Sequence, residues 1–429
     1  MAPTQHPTPP LQDEKASIRW LIFGVICLVY FFVYFHRVST SVIVADLLSE
    51  FATNATALGF MSSMYFYLYA FEQPLVGYLA DRMGPRRVIG YWSLAAAAGC
   101  FLFAAAPTIG WATIGRGLIG IGVGGVYVPA LKALAVWFRE REFAGMLGLL
   151  MAVGNLGAVI ATTPLAWAAA HWGFRLSFAL IGGITLCLAL FALLKIPEQR
   201  NLFSSTPSKG VSLSGDGWDI ITSAQFWIMA IVFFTGYGTL VTLQGLWLTP
   251  FLTTVLGMER ITASNINMLI PIGVIIGSPL LGWLSDRWAW DKRRMLVGIL
   301  IIYIASWIAL IFYFAELGSR GLVPFLFLMG VVAGGFISIA WTIVRESTPA
   351  RLVGLASGLM NPAPILGVAA FQLLTGFILD LGGRVGDFYT PTGFDNAFLA
   401  CLAANILALV LALILCKYRG RYGEKRNKP

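Results

Sequence analysis

The chain repeats one pattern along its length: a long apolar run, then a short polar break. The runs cover 19–42, 57–80, 87–107, 111–137, 144–169, 174–196, 223–250, 263–285, 295–315, 321–344, 353–379 and 395–416. Each is near the ~20 residues that a helix needs to span a bilayer. Strands of a membrane barrel would be about half as long and would alternate in polarity, so an all-β barrel is excluded. The longest polar break between runs, at about 197–219, is rich in Ser, Pro and Gly and reads as a linker. The predicted organisation is a tail (1–18), a six-helix bundle (19–197), a linker (198–219), a second six-helix bundle (220–417) and a basic tail (418–429). The expected fold class is therefore an all-α membrane protein with twelve transmembrane helices in two bundles.

Composition agrees. The chain is 58% hydrophobic and 11% charged, with a mean hydropathy of +0.79, whereas a soluble domain carries roughly 25% charged residues. Its 46 glycines suit helices whose backbones approach closely. The first 18 residues are polar, and Asp13 and Glu14 outnumber Lys15. That is not the basic start and small-residue cleavage site of a signal peptide, so the first helix is expected to be retained.

The net charge of +9 has a simple reading. With the N-terminus in the cytoplasm, most Lys and Arg fall in cytoplasmic segments. Arg37, Arg116, Lys132, Arg175, Arg260, Arg320 and Arg384 are what remains. The positive-inside rule then puts both termini in the cytoplasm, and the setting fits a bacterial inner membrane. Because the basic charge is spread over many short loops, nucleic acid is not an expected partner. Cys27, Cys100, Cys187, Cys401 and Cys416 fall in or at the end of apolar runs without a CxxC pair. They read as core fillers, with no disulfide framework or metal site.

Two polar loops are copies of each other. The first runs Gly77-Tyr-Leu-Ala-Asp81-Arg82-Met-Gly84-Pro-Arg86-Arg87; the second runs Gly282-Trp-Leu-Ser-Asp286-Arg287, then an insertion, then Lys292-Arg293-Arg294. They lie about half a chain apart. Asn155 and Asn361 recur at nearly the same offset, and Gly122-Val-Gly124-Gly125 resembles Val332-Ala-Gly334-Gly335. Such duplication marks a transporter built from repeats. On these motifs the chain is similar to the major facilitator superfamily over all twelve spans. Arg116 followed by Gly120 and Gly124, and Pro197-Glu198 after the sixth span, fit the same resemblance.

The resemblance implies a cytoplasmic gate at the duplicated loops: Gly77, Asp81, Arg82, Arg86 and Arg87, with Gly282, Asp286 and Arg287 as a weaker copy whose insertion displaces the arginines. Asp81 would latch the outward-facing state shut, and Gly77 would pack closely against span 11. A carboxylate there can pair with arginine or cap a helix N-terminus. Plain positive-inside anchoring is the competing reading.

Within span 1 the chain reads Tyr30-x-x-x-Tyr34-x-His36-Arg37. Arg37 is about 24 Å along the helix from Leu21, at roughly 1.5 Å per residue. A guanidinium at that depth is costly unless it meets a wet cavity or a partner, and its fork suits a carboxylate or phosphate. The stretch resembles the Asn-Tyr-x-Asp-Arg pattern of the organic-anion symporter branch, where the arginine binds the anion and the aspartate takes part in proton coupling. Here His36 stands in place of that aspartate and could carry the proton. Headgroup snorkelling of Arg37 is the alternative. Glu72, roughly 13 Å inside the cytoplasmic edge, shares a helix face with Tyr65 and Tyr69, and Lys132 lies at a similar depth. An ion pair between Glu72 and Lys132 is expected, either structural or proton-coupling. Tyr127, Asn155, Tyr237, Gln244, Trp247, Asn361 and Gln372 are further candidates to line the cavity with Tyr34. Each could instead bond helix to helix.

There is no GxxxxGK[ST] loop, so ATP drive is unsupported. There is no HExxH or His/Cys cluster, and no nucleophile–base constellation. The chain is expected to be no enzyme and to need no cofactor. Span 5 lacks the Gly-Pro-x-x-Gly-Gly motif of drug/proton antiporters, which disfavours multidrug efflux. The expected function is proton-coupled uptake of a small organic anion by alternating access, with solute, protons and lipid as partners and a monomer as the unit. Two alternatives stand beside it: a carrier of another solute (an amino acid, a metal chelate or an effluxed compound), and a non-transporting sensor or assembly component of the same fold.

Overall fold

The computed structural model describes residues 11–195, 216–288, 290–349, 352–385 and 388–417. Most of the expected linker, and both ends of the chain, lie outside these residues.

In the first half, α1 (Leu11–Val38) is the first span. A short α2 (Val44–Glu50) precedes α3 (Ala55–Met83) and α4 (Pro85–Ala105). The fourth span is α5 (Ile109–Gly124) with α6 (Tyr127–Trp137). The fifth is α7 (Glu140–Ile160) with the start of α8 (Thr163–Lys195), whose remainder is the sixth. Gly173, at φ 76°, separates the two parts of α8, a conformation that costs glycine little.

In the second half, α9 (Asp216–Ile221) leads to α10 (Ala224–Thr242), a π turn (Leu243–Trp247) and α11 (Leu248–Val255). Then come α12 (Arg260–Asn267), α13 (Leu269–Arg287), α14 (Lys292–Phe312), α15 (Phe314–Glu346), α16 (Val353–Met360), α17 (Pro362–Leu381) and α18 (Pro391–Lys417). A two-residue hairpin, β1 (Arg384–Val385) with β2 (Phe388–Tyr389), pairs Arg384 with Tyr389. No pattern in the sequence announces it.

Among the described residues, 10 helical segments are long and apolar enough to cross a membrane. The expected twelve are completed by α3 and α7. Among the described residues the apolar stretch of α7 is Gly145–Ile160, and α3 is diluted by tyrosines, Glu72 and Gln73. These two helices meet the opposite half of the molecule, α3 on α17 and α7 on α13. Large apolar side chains face outward, with Phe71 71%, Leu194 74% and Leu381 71% exposed. A soluble protein does not tolerate such a belt.

The duplication is visible in the packing. Gly120 of α5 fits against the Tyr65 backbone of α3, and Gly330 and Gly334 of α15 fit against Ile270 and Val274 of α13. The second span thus packs on the fourth as the eighth packs on the tenth. The glycine runs permit both approaches.

Between the halves, the close approaches of the described residues gather toward one end. On the outer side Gly59 lies against the Gln372 carbonyl and Gly376 against that of Ala55. Ser63 Oγ donates to Ala369 O (2.7 Å), Thr163 Oγ1 to Asn265 Oδ1 (2.6 Å), and Asn267 Nδ2 to Ser41 Oγ (3.4 Å). Toward the cytoplasm, a Cβ on Gly77, Gly145, Gly354 or Gly358 would meet nothing within 4 Å. The molecule is closed outside and open to the cytoplasm. The Gly77–span 11 contact expected of the outward-facing latch is therefore not made in this state. In this inward-facing state it is Gly59, at the other end of the same helix, that makes the close approach.

Candidate functional site

Arg37 lies in the last turn of α1 and is 7% exposed. Its Nη1 donates to the Tyr237 hydroxyl of α10 (3.0 Å), across the seam between the halves. Its guanidinium lies 4.4 Å from the Tyr34 ring centroid and 5.4 Å from that of Tyr69. Cation–π contacts offset burial by about 0.5–2 kcal/mol each, but they leave the charge uncompensated. Among the described residues no carboxylate pairs with Arg37, and its Nε has no partner. More phenols extend the lining. Tyr30 stacks on Tyr127 at 5.8 Å and meets Tyr34 edge-on at 5.5 Å. Tyr65 stacks on Tyr69 at 6.3 Å and donates to Val33 O (2.8 Å). A desolvated, forked cation in a neutral hydroxyl-bearing cage is suited to an oxyanion.

The structure brings together Arg37, Tyr34, Tyr127 and Tyr237 from the sequence candidates. It adds Tyr30, Tyr65 and Tyr69, whose four-residue spacings on α1 and α3 were the available signal.

Others lie elsewhere. His36 is fully buried inside the first bundle, 3.6 Å from Cys100 Sγ and beside Phe178. Neighbouring residues on a helix cannot share a face, so turning Arg37 to the seam turns His36 away from it. Trp247 is buried, its indole bonded to Thr375 Oγ1 (2.7 Å), and it joins helices instead of lining the cavity. Gln244 belongs to the π turn, which breaks the shared face expected with Tyr237. Its carbonyl is taken by Asn267 Nδ2 (2.9 Å), a residue that the sequence did not single out. Gln372 is fully buried in the seam with both amide atoms unpartnered. Asn155 bonds its own helix at Met151 O (2.9 Å), and Asn361 marks the break between α16 and α17.

The expected Glu72–Lys132 pair is not formed. Glu72 Oε2 accepts from the Trp92 indole (2.9 Å), and Oε1 has no hydrogen-bond partner. Glu72 packs against Gly124, one turn beyond the Gly120 that receives Tyr65. Lys132 donates to Gly77 O (3.2 Å). Glu72 therefore looks into the α3–α5 contact while Lys132 reaches the cytoplasmic end of α3. Arg116, also fully buried, donates to His36 O (3.0 Å) and Ser39 Oγ (3.5 Å). It closes the carboxyl end of α1, where positive charge is favoured.

At the duplicated loops the side chain of Asp81 lies outside the described residues. Arg82 covers the Tyr78 ring (4.6 Å), and Arg86 donates to Leu193 O. Arg287 covers Trp283 (5.7 Å), and a Cβ on Gly282 would meet Ser338 Oγ. The insertion does not strip the second copy of a basic partner, because Lys292 reaches back to Asp286 (2.6 Å). Asp286 is nonetheless 78% exposed, and such pairs contribute about 0–1 kcal/mol. Asp286→Asn should leave uptake within about twofold of wild type, and Asp81→Asn should impair it more. Equal losses in a transport assay would refute that ranking.

The outer seal is built around Asp380, near the end of α17. It accepts from Ala55 N (3.1 Å), Thr56 N (2.7 Å) and Thr56 Oγ1 (2.5 Å), at the start of α3 in the other half. Tyr389 completes the clamp: its hydroxyl donates to Asp380 (2.7 Å) and accepts from Ala55 N (2.6 Å). Burial pushes that hydroxyl up to about 12, so it remains a donor at neutral pH. Arg384 holds Tyr389 and Thr53 O. A second bridge, Arg260 to Asp46 (3.1 and 2.7 Å), joins α12 to α2.

Two bundles sealed on one face and open on the other, with an unpaired cation at their seam, define a membrane carrier of the alternating-access class. More particularly, the chain belongs to the Major Facilitator Superfamily, whose family model matches residues 26–363 and 241–429. It is a secondary transporter and not an enzyme. It is 26% identical over 286 residues to the probable sulfoacetate transporter of Cupriavidus necator, covering 64% of this chain and 66% of that one. It is 22% identical over 434 residues to the probable galactarate/D-glucarate transporter of Bacillus subtilis, covering 94% and 92%. Among solved structures it resembles a bacterial homologue of the human lysosomal transporter Spinster in an inward-facing, unoccupied conformation. The TM-score is 0.76 at 18% identity, covering 92% of this chain and 96% of that one.

Proposed function

We propose that this chain imports a small organic anion with protons, and that Arg37 holds the anionic head. The observation that carries the reading is the state of Arg37: buried, aimed across the seam at Tyr237, and without a carboxylate among the described residues. A protein does not keep such a charge dry without a use for it. The named substrates of the two relatives, a sulfonated acid and sugar acids, support the same class.

For coupling, the structure favours Glu72 over His36. Glu72 is the one carboxylate in the membrane interior of either half; Asp380 and Asp395 stand at the outer helix ends. One of its oxygens has no partner and can accept a proton. His36 is fully buried inside the first bundle, beside Cys100 and Phe178.

The experiment is uptake by proteoliposomes under an imposed pH gradient, over a panel of organic acids. Wild type should accumulate anions against their gradient. Glu72→Gln should lose gradient-driven accumulation while keeping solute counterflow. Accumulation retained by Glu72→Gln would sink the coupling role.

A further inference from the structure

The site offers one positive charge and no second one. Arg37 is its charged member, and the surrounding groups are phenols: Tyr34, Tyr69, Tyr127 and Tyr237. The other membrane-depth cations of the first half are committed elsewhere. Arg116 closes α1 from inside the bundle, and Lys132 holds the Gly77 carbonyl. The second half supplies none at that depth: 224–258, 261–285, 295–315, 321–344, 353–379 and 396–416 contain no Lys, Arg, His, Asp or Glu, and Arg260, between the first two, is held by Asp46 at the outer side. Charge at membrane depth is thus confined to one half, and the spans that move against it are neutral there.

We infer that the substrate is a monoanion: one carboxylate or sulfonate head on Arg37, with an uncharged, hydrogen-bonding body among the tyrosines. This rests on the anion reading above and narrows it, and it sets this chain apart from the two relatives named there, whose printed substrates carry two acidic groups each. A monoanion forms a neutral pair with the guanidinium, and that pair can stay buried while the halves rock. A dianion leaves one charge without a cationic partner, and an unpaired buried ion is far more costly than a paired one. The phenols cannot supply the deficit. They donate hydrogen bonds but carry no charge, which suits hydroxyl or amide groups on the substrate body.

The test uses the intact wild-type protein in proteoliposomes and acids matched in skeleton but not in charge. Gluconate and glucarate, with neutral glucitol, form one set; benzoate and phthalate form another. Initial counterflow rates are measured at pH 7.5, where the second carboxyl of each diacid is ionised. Within a set that is carried, the monoanion should outpace the dianion by at least about tenfold. A diacid carried as fast as its monoacid would overturn the single-charge inference and leave the anion reading standing. Transport of glucitol with both acids ignored would overturn both.

Discussion

Arg37→Ala should abolish uptake. Truncating one partner of a buried, hydrogen-bonded charge pair costs about 3–5 kcal/mol, or roughly 10²–10⁴-fold in apparent affinity. Arg37→Lys should retain part of the activity with a raised KM, since lysine keeps the charge but loses the planar fork lying over Tyr34. A structural strut would give a different pattern, because Arg37 also ties the two halves through Tyr237. Tyr237→Phe removes that tie and leaves the cation in place. It should cost far less than Arg37→Ala, on the order of one neutral-to-charged hydrogen bond. Uptake by Arg37→Ala within twofold of wild type, in protein shown to be folded by size exclusion, would end the substrate role. Equal losses in Arg37→Ala and Tyr237→Phe would recast Arg37 as the strut.

Asp380→Ala should open the outer seal. The carboxylate caps the start of α3 from the opposite half, in addition to the local cap that Asn54 gives Ala57 N (2.8 Å). Of the two outer bridges it should be the stronger. The Arg260–Asp46 pair is partly exposed, 24% and 32% by side chain, and a pair of that kind contributes about 0–1 kcal/mol. Asp380 instead accepts two backbone N–H groups and two hydroxyls at a helix N-terminus. Losing such charge-assisted bonds costs about 2 kcal/mol, which moves a two-state equilibrium roughly thirtyfold. The readout is a cysteine at Ser63, placed in a background free of native cysteines and probed from outside with an impermeant maleimide. Ser63 is fully buried at the α3–α17 contact in the closed state. Labelling should accelerate by roughly that thirtyfold factor in Asp380→Ala and change little in Asp46→Asn. Unchanged labelling in Asp380→Ala would show that the seal does not depend on it.

These two residues differ in how they could be found. Arg37 was legible in the sequence because a charge deep in an apolar run is costly and so requires an explanation. Asp380 was not, because an acid at the end of an apolar run is ordinary. Its importance comes from Ala55 and Thr56, which reach it from the far half of the chain. The same contrast separates Tyr237, found by its place in span 7, from Asn267, whose worth depends on a carbonyl released by a π turn.

The sequence by itself determined the membrane class, the twelve spans, the duplication and the buried cation, because each follows from local hydropathy or from chain-wide repetition. It could not determine which faces look inward. A lone polar residue in an apolar helix is equally compatible with a cavity and with a neighbouring helix, and only the helix rotations settle which. The tertiary structure decided that Arg37 looks into the seam and His36 away from it. It turned Glu72 to Trp92 instead of Lys132, and it joined the halves at Gly59 while Gly77 stands open. Pairing across the seam depends on which end of the molecule is closed. That is a property of one conformational state, and a sequence that must encode both states cannot display one of them.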